Sequence, residues 1–145
     1  MSAAGPSSPA LAPRLLLAVA VGGAVGALAR WGLTEAWPAD ADGFPWATLA
    51  INVSGSFLLA LLPALAVVRR RRELAVGLDP GVLGGYTTLS AYSEQARALL
   101  ASGRTGVALV YLAGTLAACL VAVAVGDHWS DVAERRAFEA EGGDE

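Results

Sequence analysis

The chain has 145 residues, of which 55% are hydrophobic and only 16% are charged, and its mean hydropathy is +0.54. A soluble domain of this length rarely carries so much apolar surface, so the composition indicates an integral membrane protein. The formal net charge of −3 gives no reason to expect a nucleic-acid partner. The only cysteine, Cys119, excludes an internal disulfide and a multi-cysteine metal site.

Residues that could carry enzymatic chemistry are sparse. The sequence contains no cluster of His, Cys and carboxylate residues that would support metal binding or acid–base catalysis. It also lacks a glycine-rich phosphate loop ending in lysine, because every basic residue is arginine. We therefore predict that the protein is not an enzyme.

The N-terminal part of the chain combines a polar leader with an apolar stretch. Residues 1–13 are rich in Ser, Ala and Pro and are predicted to form a disordered leader. The first predicted membrane span begins near Arg14 and stays apolar to Ala29. Arg30 and two tryptophans follow, where a helix would approach the far membrane interface.

A cleavable signal peptide is the alternative interpretation of this first stretch. Arg14 precedes the apolar core, and the small residues at 27–29 resemble a cleavage site. Gly22 and Gly26 favour a permanent helix instead, because small residues four positions apart form a face for close helix contact. Arg30 continues that face at the same spacing.

The second predicted span covers residues 46–68 and contains no charged residue. Thr48, Asn52 and Ser56 follow one another at steps of four, which places three polar side chains along one stripe of the helix. An isolated Asn in a membrane helix can simply bond a neighbouring helix, and this structural role stays open. In either case the stripe needs a polar or protein-lined destination.

Four arginines, 69–72, end the second span, and the next stretch, 74–102, suits a continuous membrane helix poorly. Asp79 and Pro80 lie near its start, and the sequence Gly-Gly-Tyr-Thr-Thr at 84–88 interrupts it. Adjacent glycines followed by β-branched residues favour loss of regular helix. Unwound backbone at membrane depth must be buried in protein or line a watery cavity, and its carbonyls can bind a cation. We therefore predict a third span that is broken at 84–88.

The fourth predicted span covers residues 105–126, with Tyr111 and Thr115 about one helical turn apart. Residues 127–145 are expected to form a charged, frayed tail. The predicted fold is an all-α membrane protein in which residues 14–126 form a domain of four transmembrane helices.

Arginines are distributed unequally between the two sides of this predicted bundle. Arg14, the run 69–72 and the pair 135–136 fall on one side, whereas the other side holds Arg97, Arg104 and Arg30. Short arginine-rich loops stay in the cytoplasm, so both termini are predicted to be cytoplasmic.

Three motifs occur in order along the predicted spans: GGAVGA at 22–27 before Arg30, NVSGSF at 52–57 and GGYTTLS at 84–90. Together they resemble the Fluc (CrcB) family of fluoride channels, and the resemblance extends from the first span to the fourth. It implies an antiparallel, dual-topology-type dimer of four-helix subunits in a bacterial cell membrane. It also implies two fluoride pathways and one structural sodium ion at the dimer centre.

The resemblance implies roles for individual residues as well. It assigns the fluoride pathway to Asn52, Thr48, Leu89, Tyr92, Tyr111 and Thr115. Asn52 is the expected main donor, because fluoride must exchange its water for hydrogen-bond donors or electropositive ring edges. Arg30 is expected to act as an interfacial positive group. The sodium ion would be held by the backbone carbonyls of Gly84 and Thr87.

The chain departs from the family pattern in the third motif. Family members typically read Thr-Thr-Phe-Ser-Thr-Phe, whereas residues 87–92 of this chain read Thr-Thr-Leu-Ser-Ala-Tyr. Leu89 and Tyr92 therefore replace the two phenylalanines, and Ala91 replaces the last threonine. Leucine has no ring quadrupole to offer an anion, while Tyr92 keeps an aromatic edge and adds a hydroxyl. Thr115 replaces the usual serine and retains a hydroxyl donor. Together with the arginine bias, these changes suggest that the chain pairs with a different, oppositely oriented family member.

The leading functional hypothesis is passive export of fluoride from the cytoplasm, which lowers fluoride toxicity. One alternative is a non-conducting structural subunit of a fluoride channel heterodimer. Another is a small proton-coupled drug exporter, which should have a buried carboxylate in its first span, whereas Glu35 lies close to the interface at Trp37 and Pro38. The expected partners are fluoride, sodium, the lipid bilayer and a second copy or paralogous subunit.

Overall fold

The computed structural model of the chain describes residues 12–38 and 43–140, with side chains described as far as residue 133. All but the last two residues of the predicted leader, 1–13, lie outside the described residues, and so does the end of the predicted tail, 141–145. The described backbone is helical and contains no strand.

Seven α-helices follow one another along the described chain: α1 (Pro13–Ala36), α2 (Trp46–Leu61), α3 (Ala66–Arg70), α4 (Arg72–Val76), α5 (Gly84–Tyr86), α6 (Leu89–Ala101) and α7 (Thr105–Ala140). A 3-10 turn, Leu62–Ala64, follows α2, and a π-helical segment, Gly77–Leu83, joins α4 to α5. Three stretches within the described ranges are long and apolar enough to cross a membrane: Pro13–Ala36, Trp46–Ala64 and Thr105–Ala133. They correspond to the first, second and fourth predicted spans.

The second predicted span, 46–68, is wrong as a single helix. The α2 helix ends at Leu61, and Pro63 lies in the 3-10 turn that follows. Proline has no N–H and its ring clashes with the preceding helical turn, so a regular helix cannot continue through it. The backbone is extended at Arg71, and the arginine run is therefore divided between α3 and α4.

The segment between α4 and α6 contains extended residues, but the predicted glycines are not among them. Thr87 (φ −74°, ψ 157°) and Thr88 (φ −150°, ψ 115°) separate α5 from α6, whereas Gly84 and Gly85 are helical. A methyl group on Gly85 would overlap the carbonyl oxygen of Gly23. The predicted helix-breaking role of the glycines is therefore wrong, because Gly85 serves close packing on α1 instead.

The α1 helix packs lengthwise against the segment from α4 to α5. Gly22 and Gly26 are buried there, and a side chain at either position would overlap a backbone carbonyl, of Gly77 and of Val82 respectively. The small-residue face predicted from the sequence therefore allows two backbones to approach closely. At the start of α1, Arg14 forms an ion pair of 3.2 Å with Glu73 near the start of α4, and both side chains are solvent-accessible.

The α7 helix does not end at Gly126, so the prediction of a frayed tail is wrong for residues 127–140. Beyond Gly126 the helix still packs on α2: the rings of Phe57 and Trp129 meet edge-on with centroids 5.5 Å apart. Ser130, one turn from Gly126, is buried. These contacts give the charged continuation of the helix a surface to pack on, and local composition contains no information about such a surface.

Candidate functional site

A cavity of about 390 Å³ lies between α2, α7 and the segment around the extended threonines. We call it the central cavity. Six of its lining residues were predicted from the sequence as site residues, namely Asn52, Gly84, Thr87, Leu89, Tyr92 and Thr115. Ser56, the third member of the predicted polar stripe, and Cys119 also line it. The structure thus brings together residues from the second, third and fourth predicted spans.

Asn52 holds the extended backbone at Thr88. Its amide nitrogen donates to the Thr88 carbonyl oxygen at 3.1 Å, and its amide oxygen accepts from the Thr88 N–H at 2.8 Å. This pairing resembles one rung of a β-ladder. It uses one of the two amide N–H groups of Asn52 and leaves the second for another acceptor. Asn52 therefore has the structural role that the sequence left open, since it bonds a neighbouring segment, and its second amide N–H is not used by Thr88.

The carbonyl groups of Gly84 and Thr87 both lose the amide partner that a continuous helix would supply. In an α-helix these oxygens would accept from Thr88 and Ala91. The Thr88 N–H donates to Asn52 instead, and the Ala91 N–H donates to the Thr88 hydroxyl at 3.1 Å as a helix cap. Carbonyl oxygens released from a helix are hard donors of the type that bind a sodium ion, so these two residues fit the predicted cation site.

Arg30 lies beside the same segment. Its Nε donates to the Gly85 carbonyl oxygen at 3.1 Å, and the residue is half-buried. The guanidinium group therefore places a positive charge next to the C-terminal end of α5, where helix carbonyls concentrate partial negative charge.

Thr115 lines the central cavity and has a buried hydroxyl oxygen. The residue is only 3% exposed, and its Oγ1 makes no hydrogen bond within the described part of the chain. A buried polar group left without a partner costs roughly 1–3 kcal/mol. A ligand that accepts the hydrogen bond of this hydroxyl would remove that cost.

Polar side chains continue beyond the central cavity along α6 and α7. Tyr111 is completely buried, and its hydroxyl donates to the Gln95 side-chain oxygen at 2.8 Å. Thr48, on α2, is 3% exposed. Thr48 and Gln95 in turn line another cavity, of about 310 Å³, together with Glu35 at the end of α1.

Tyr92 connects these two regions. Its ring packs on that of Tyr111 with centroids 5.2 Å apart, and it lines the central cavity. Its hydroxyl donates to the Leu112 carbonyl oxygen at 2.7 Å, so the extra donor that tyrosine brings is already used inside the subunit. The sequence analysis did not single out Gln95, and the available signal was its position three residues after Tyr92, on the same helical face.

Comparisons with known proteins identify the family of this arrangement. Residues 17–127 match the family model described as CrcB-like protein, Camphor Resistance (CrcB). The chain belongs to the CrcB-like family. The prediction drawn from the three motifs is therefore confirmed.

Several curated relatives of this CrcB-like chain are named fluoride-specific ion channels. FluC 2 of Nocardia farcinica is 41% identical over 133 residues, which cover 88% of this chain and 95% of the relative. FluC of Anaeromyxobacter sp. strain K is 45% identical over 111 residues, covering 74% and 87%. FluC of Thermus thermophilus is 46% identical over 103 residues, covering 69% and 80%. The CrcB-like family is a class of ion channels, so this chain is a membrane protein and not an enzyme.

The departure of this CrcB-like chain at Leu89 has a clear structural setting. Leu89 is 76% exposed and lines the open side of the central cavity. The other departing aromatic position, Tyr92, points into the bundle and bonds Leu112. The two altered positions therefore differ in what surrounds them, since one is packed within the subunit and the other faces outward.

Proposed function

We propose that this chain is a subunit of a fluoride-selective ion channel, through which fluoride leaves the cytoplasm passively and its toxicity falls. The observation that carries the proposal is the buried Thr115 hydroxyl, which has no partner within the described residues and lines a cavity inside an apolar bundle. A buried donor without a protein partner, in a residue that lines a cavity, suits a small anion that accepts hydrogen bonds. The names of the relatives indicate which anion that is.

Fluoride is small and strongly hydrated, so its pathway must supply donors at short intervals. In our proposal the ion meets the remaining amide N–H of Asn52 and the Thr115 hydroxyl in the central cavity. It then passes Tyr111 and Thr48 toward the cavity at the end of α1. Tyr92 offers its ring edge, and Leu89 lies at the wall without a polar contribution. Three observations support this route: Asn52 and Thr115 line the central cavity, Tyr111 bonds Gln95, and Thr48 and Gln95 line the cavity at the end of α1.

A structural sodium ion is the second part of the proposal. The carbonyl oxygens of Gly84 and Thr87 would hold it, because their helical amide partners bond elsewhere. The bound cation would supply a fixed positive charge close to the pathway. Arg30 adds another positive charge on the neighbouring turn through its bond to Gly85.

The number of spans, the dimer and the orientation in the membrane are also part of the proposal. We propose that the segment from α4 to α6 crosses the bilayer as a third, broken span, which gives four spans within residues 14–126. The subunit would form an antiparallel dimer in the cell membrane, with both termini in the cytoplasm. The ion pair of Arg14 with Glu73 supports a common side for the start of α1 and the arginine run.

The partner in this dimer is proposed to be a related chain of opposite orientation. The arginine bias favours one orientation for this chain, and an antiparallel pair then needs a subunit with the reverse bias. Leu89, which is 76% exposed beside the cavity, is available for contact with that partner.

Passive export requires no energy coupling. Undissociated acid enters a cell from acidic surroundings and releases fluoride in the more alkaline cytoplasm, so a selective anion leak is protective. The cavity lining supports a leak rather than proton coupling, because its only carboxylate, Asp79, is exposed.

The test is fluoride efflux from liposomes that contain the purified full-length chain, alone or with a co-expressed relative of opposite arginine bias. We expect selective fluoride efflux over chloride from the pair. Full conduction by the chain alone would contradict the requirement for a different partner. If the pair conducts equally well when Asn52→Ala and Thr115→Val are combined in this chain, its own pathway does not conduct and the chain is a structural subunit.

A further inference from the structure

The side chains of Ser54 and Tyr86 form a hydrogen bond between α2 and the end of α5, with their oxygens 3.0 Å apart. Ser54 also donates to the Ala50 carbonyl oxygen, one turn earlier in α2, at 2.7 Å. A serine hydroxyl has a single hydrogen, so Tyr86 is the donor in the bond between the two side chains. Both residues are half-buried, and neither lines the central cavity, so the pair lies outside the proposed fluoride pathway.

Tyr86 lies between the two carbonyl groups that are proposed to bind sodium. Gly84 precedes it by two residues, and Thr87 follows it directly. The α5 helix ends at Tyr86, and the chain is extended at Thr87 (φ −74°, ψ 157°). Because peptide groups are planar, the separation of the two carbonyl oxygens depends only on the φ and ψ angles of residues 85–87.

Hydrogen bonds from α1 and α2 hold the two ends of this segment. The Gly85 carbonyl oxygen accepts from Arg30 on α1 at 3.1 Å. The Thr88 N–H donates to Asn52 on α2 at 2.8 Å, and it belongs to the same planar peptide group as the Thr87 carbonyl. The N–H and C=O of a trans peptide point in opposite directions, so the Thr87 carbonyl oxygen points away from the Asn52 amide oxygen.

Between these two ends, Thr87 and Tyr86 contact consecutive residues of α2. A methyl group on Gly55 would overlap the Thr87 methyl group, so Thr87 packs directly against the backbone of α2. Tyr86 contacts the same turn through its bond to Ser54. Loss of the Tyr86 hydroxyl would therefore loosen the backbone between the two proposed sodium ligands.

We propose that the hydrogen bond between Tyr86 and Ser54 sets the spacing of the Gly84 and Thr87 carbonyl oxygens, and that this spacing favours sodium over potassium. Both side chains act through the backbone, so they are positioning residues and not ligands. Preference among cations at oxygen ligands depends on the size of the site and on the flexibility of its ligands. The inference rests on the sodium site of the proposed function, but it does not require that the chain conducts fluoride.

The test measures how sodium stabilises the full-length chain in detergent, prepared as for the efflux assay. Sodium replaces N-methyl-D-glucamine at constant ionic strength, and the rise of the thermal midpoint gives the Kd for sodium. We expect Tyr86→Phe and Ser54→Ala each to raise this Kd about threefold to tenfold, as for one lost hydrogen bond. The double variant should raise the Kd no further than either substitution alone, because both remove the same bond.

Two controls separate positioning from a general loss of stability. Ser93→Ala removes an exposed hydroxyl that bonds a carbonyl oxygen one turn earlier in its own helix, as the Ser54 hydroxyl does. Trp129→Ala removes the ring contact with Phe57 and should lower the thermal midpoint. Both controls should keep the wild-type Kd for sodium.

A parallel titration with potassium tests the ion preference. The ratio of the potassium Kd to the sodium Kd should fall toward one in Tyr86→Phe. A Tyr86→Phe variant that is less stable at every sodium concentration, but keeps the wild-type Kd and the wild-type ratio, would show that the bond is only structural. That result would overturn the proposal.

Failure of this proposal and failure of the channel function give different results. A wild-type thermal midpoint that does not respond to sodium would overturn the positioning role even if the chain conducts fluoride. If sodium stabilises the wild type and the two substitutions raise the Kd, but no fluoride efflux is found, the channel function alone is overturned.

Discussion

The carboxamide of Asn52 illustrates how one side chain can serve both backbone and ligand. Its two hydrogen bonds to Thr88 fix an extended residue between two helices. In a continuous helix the Thr88 N–H would donate to the Gly84 carbonyl oxygen, and its bond to Asn52 prevents this. The residue predicted as the main fluoride donor therefore also shapes the proposed cation site.

Substitution of Asn52 should cost stability as well as conduction. Asn52→Ala leaves both Thr88 backbone groups without their partner, and we expect a loss of about 1–3 kcal/mol in the free energy of unfolding. Asn52→Asp retains an acceptor for the Thr88 N–H but faces the Thr88 carbonyl with a second oxygen, so it should not restore the wild-type value. Thermal unfolding in detergent measures the stability of both variants. Ser93→Ala is the control, because the exposed Ser93 hydroxyl donates to the Leu89 carbonyl oxygen of its own helix. If the thermal midpoint of Asn52→Ala equals that of the control, the two bonds between Asn52 and Thr88 do not stabilise the fold.

Substitution of Thr115 should lower conduction without lowering stability, unlike substitution of Asn52. Thr115→Val keeps the shape and removes a buried hydroxyl that lacks a partner within the described chain. We therefore expect a thermal midpoint equal to or above that of the wild type, together with a clear fall in fluoride efflux. Thr115→Ser retains the donor and should retain efflux. Wild-type efflux from Thr115→Val would remove this hydroxyl from the pathway.

At the scale of elements, the contact between α1 and the segment from α4 to α5 depends on glycine. Gly22 and Gly26 meet backbone atoms of that segment, whereas Gly32, later in the same helix, has no atom within 4 Å of the place that an alanine methyl group would occupy. Glycines of one helix therefore differ only in what faces them. This difference provides a matched pair of substitutions.

We expect Gly26→Ala to destabilise the protein by about 1–3 kcal/mol, because its methyl would overlap the Val82 carbonyl and force the backbones apart. Gly32→Ala should be neutral or stabilising by up to about 1 kcal/mol, since alanine favours a helix and the space is open. Thermal unfolding of the two variants under identical detergent conditions measures the difference. Equal effects would show that the close approach of the two segments contributes little.

At the scale of the whole molecule, the arginine distribution should fix how the chain inserts. Replacing the four arginines at 69–72 with glutamine leaves similar numbers on the two predicted sides, so we expect a mixture of orientations instead of one. Accessibility of a C-terminal tag to protease in intact cells measures the fraction in each orientation. The control, Arg97→Gln with Arg104→Gln, strengthens the bias and should keep a single orientation.

Both orientations in equal amounts for the unmodified chain would contradict the fixed orientation. A homodimer would then satisfy the antiparallel arrangement, and a second gene product would no longer be required. A single orientation would instead strengthen the expectation of a related partner chain. The outcome therefore decides the composition of the assembly.

The sequence by itself determined the membrane class, three of the proposed spans and the family. Runs of apolar residues must lie in lipid whatever their neighbours are, and the motifs at 22–27, 52–57 and 84–90 lie within the segment that the family model matches. The polar stripe predicted a polar or protein-lined destination, because polar side chains cannot face lipid without cost. In the structure Thr48 is buried, and Asn52 and Ser56 line the central cavity.

Only the tertiary structure decided which partner each polar group finds. Asn52 clamps Thr88, Gly85 packs on Gly23 and α7 continues past Gly126 because of contacts between segments far apart in the chain. Local patterns contain the propensities of neighbouring residues, whereas hydrogen-bond partners and close backbone contacts depend on which helices meet. For the same reason, it became visible only in three dimensions that the Thr115 hydroxyl has no partner among the described residues.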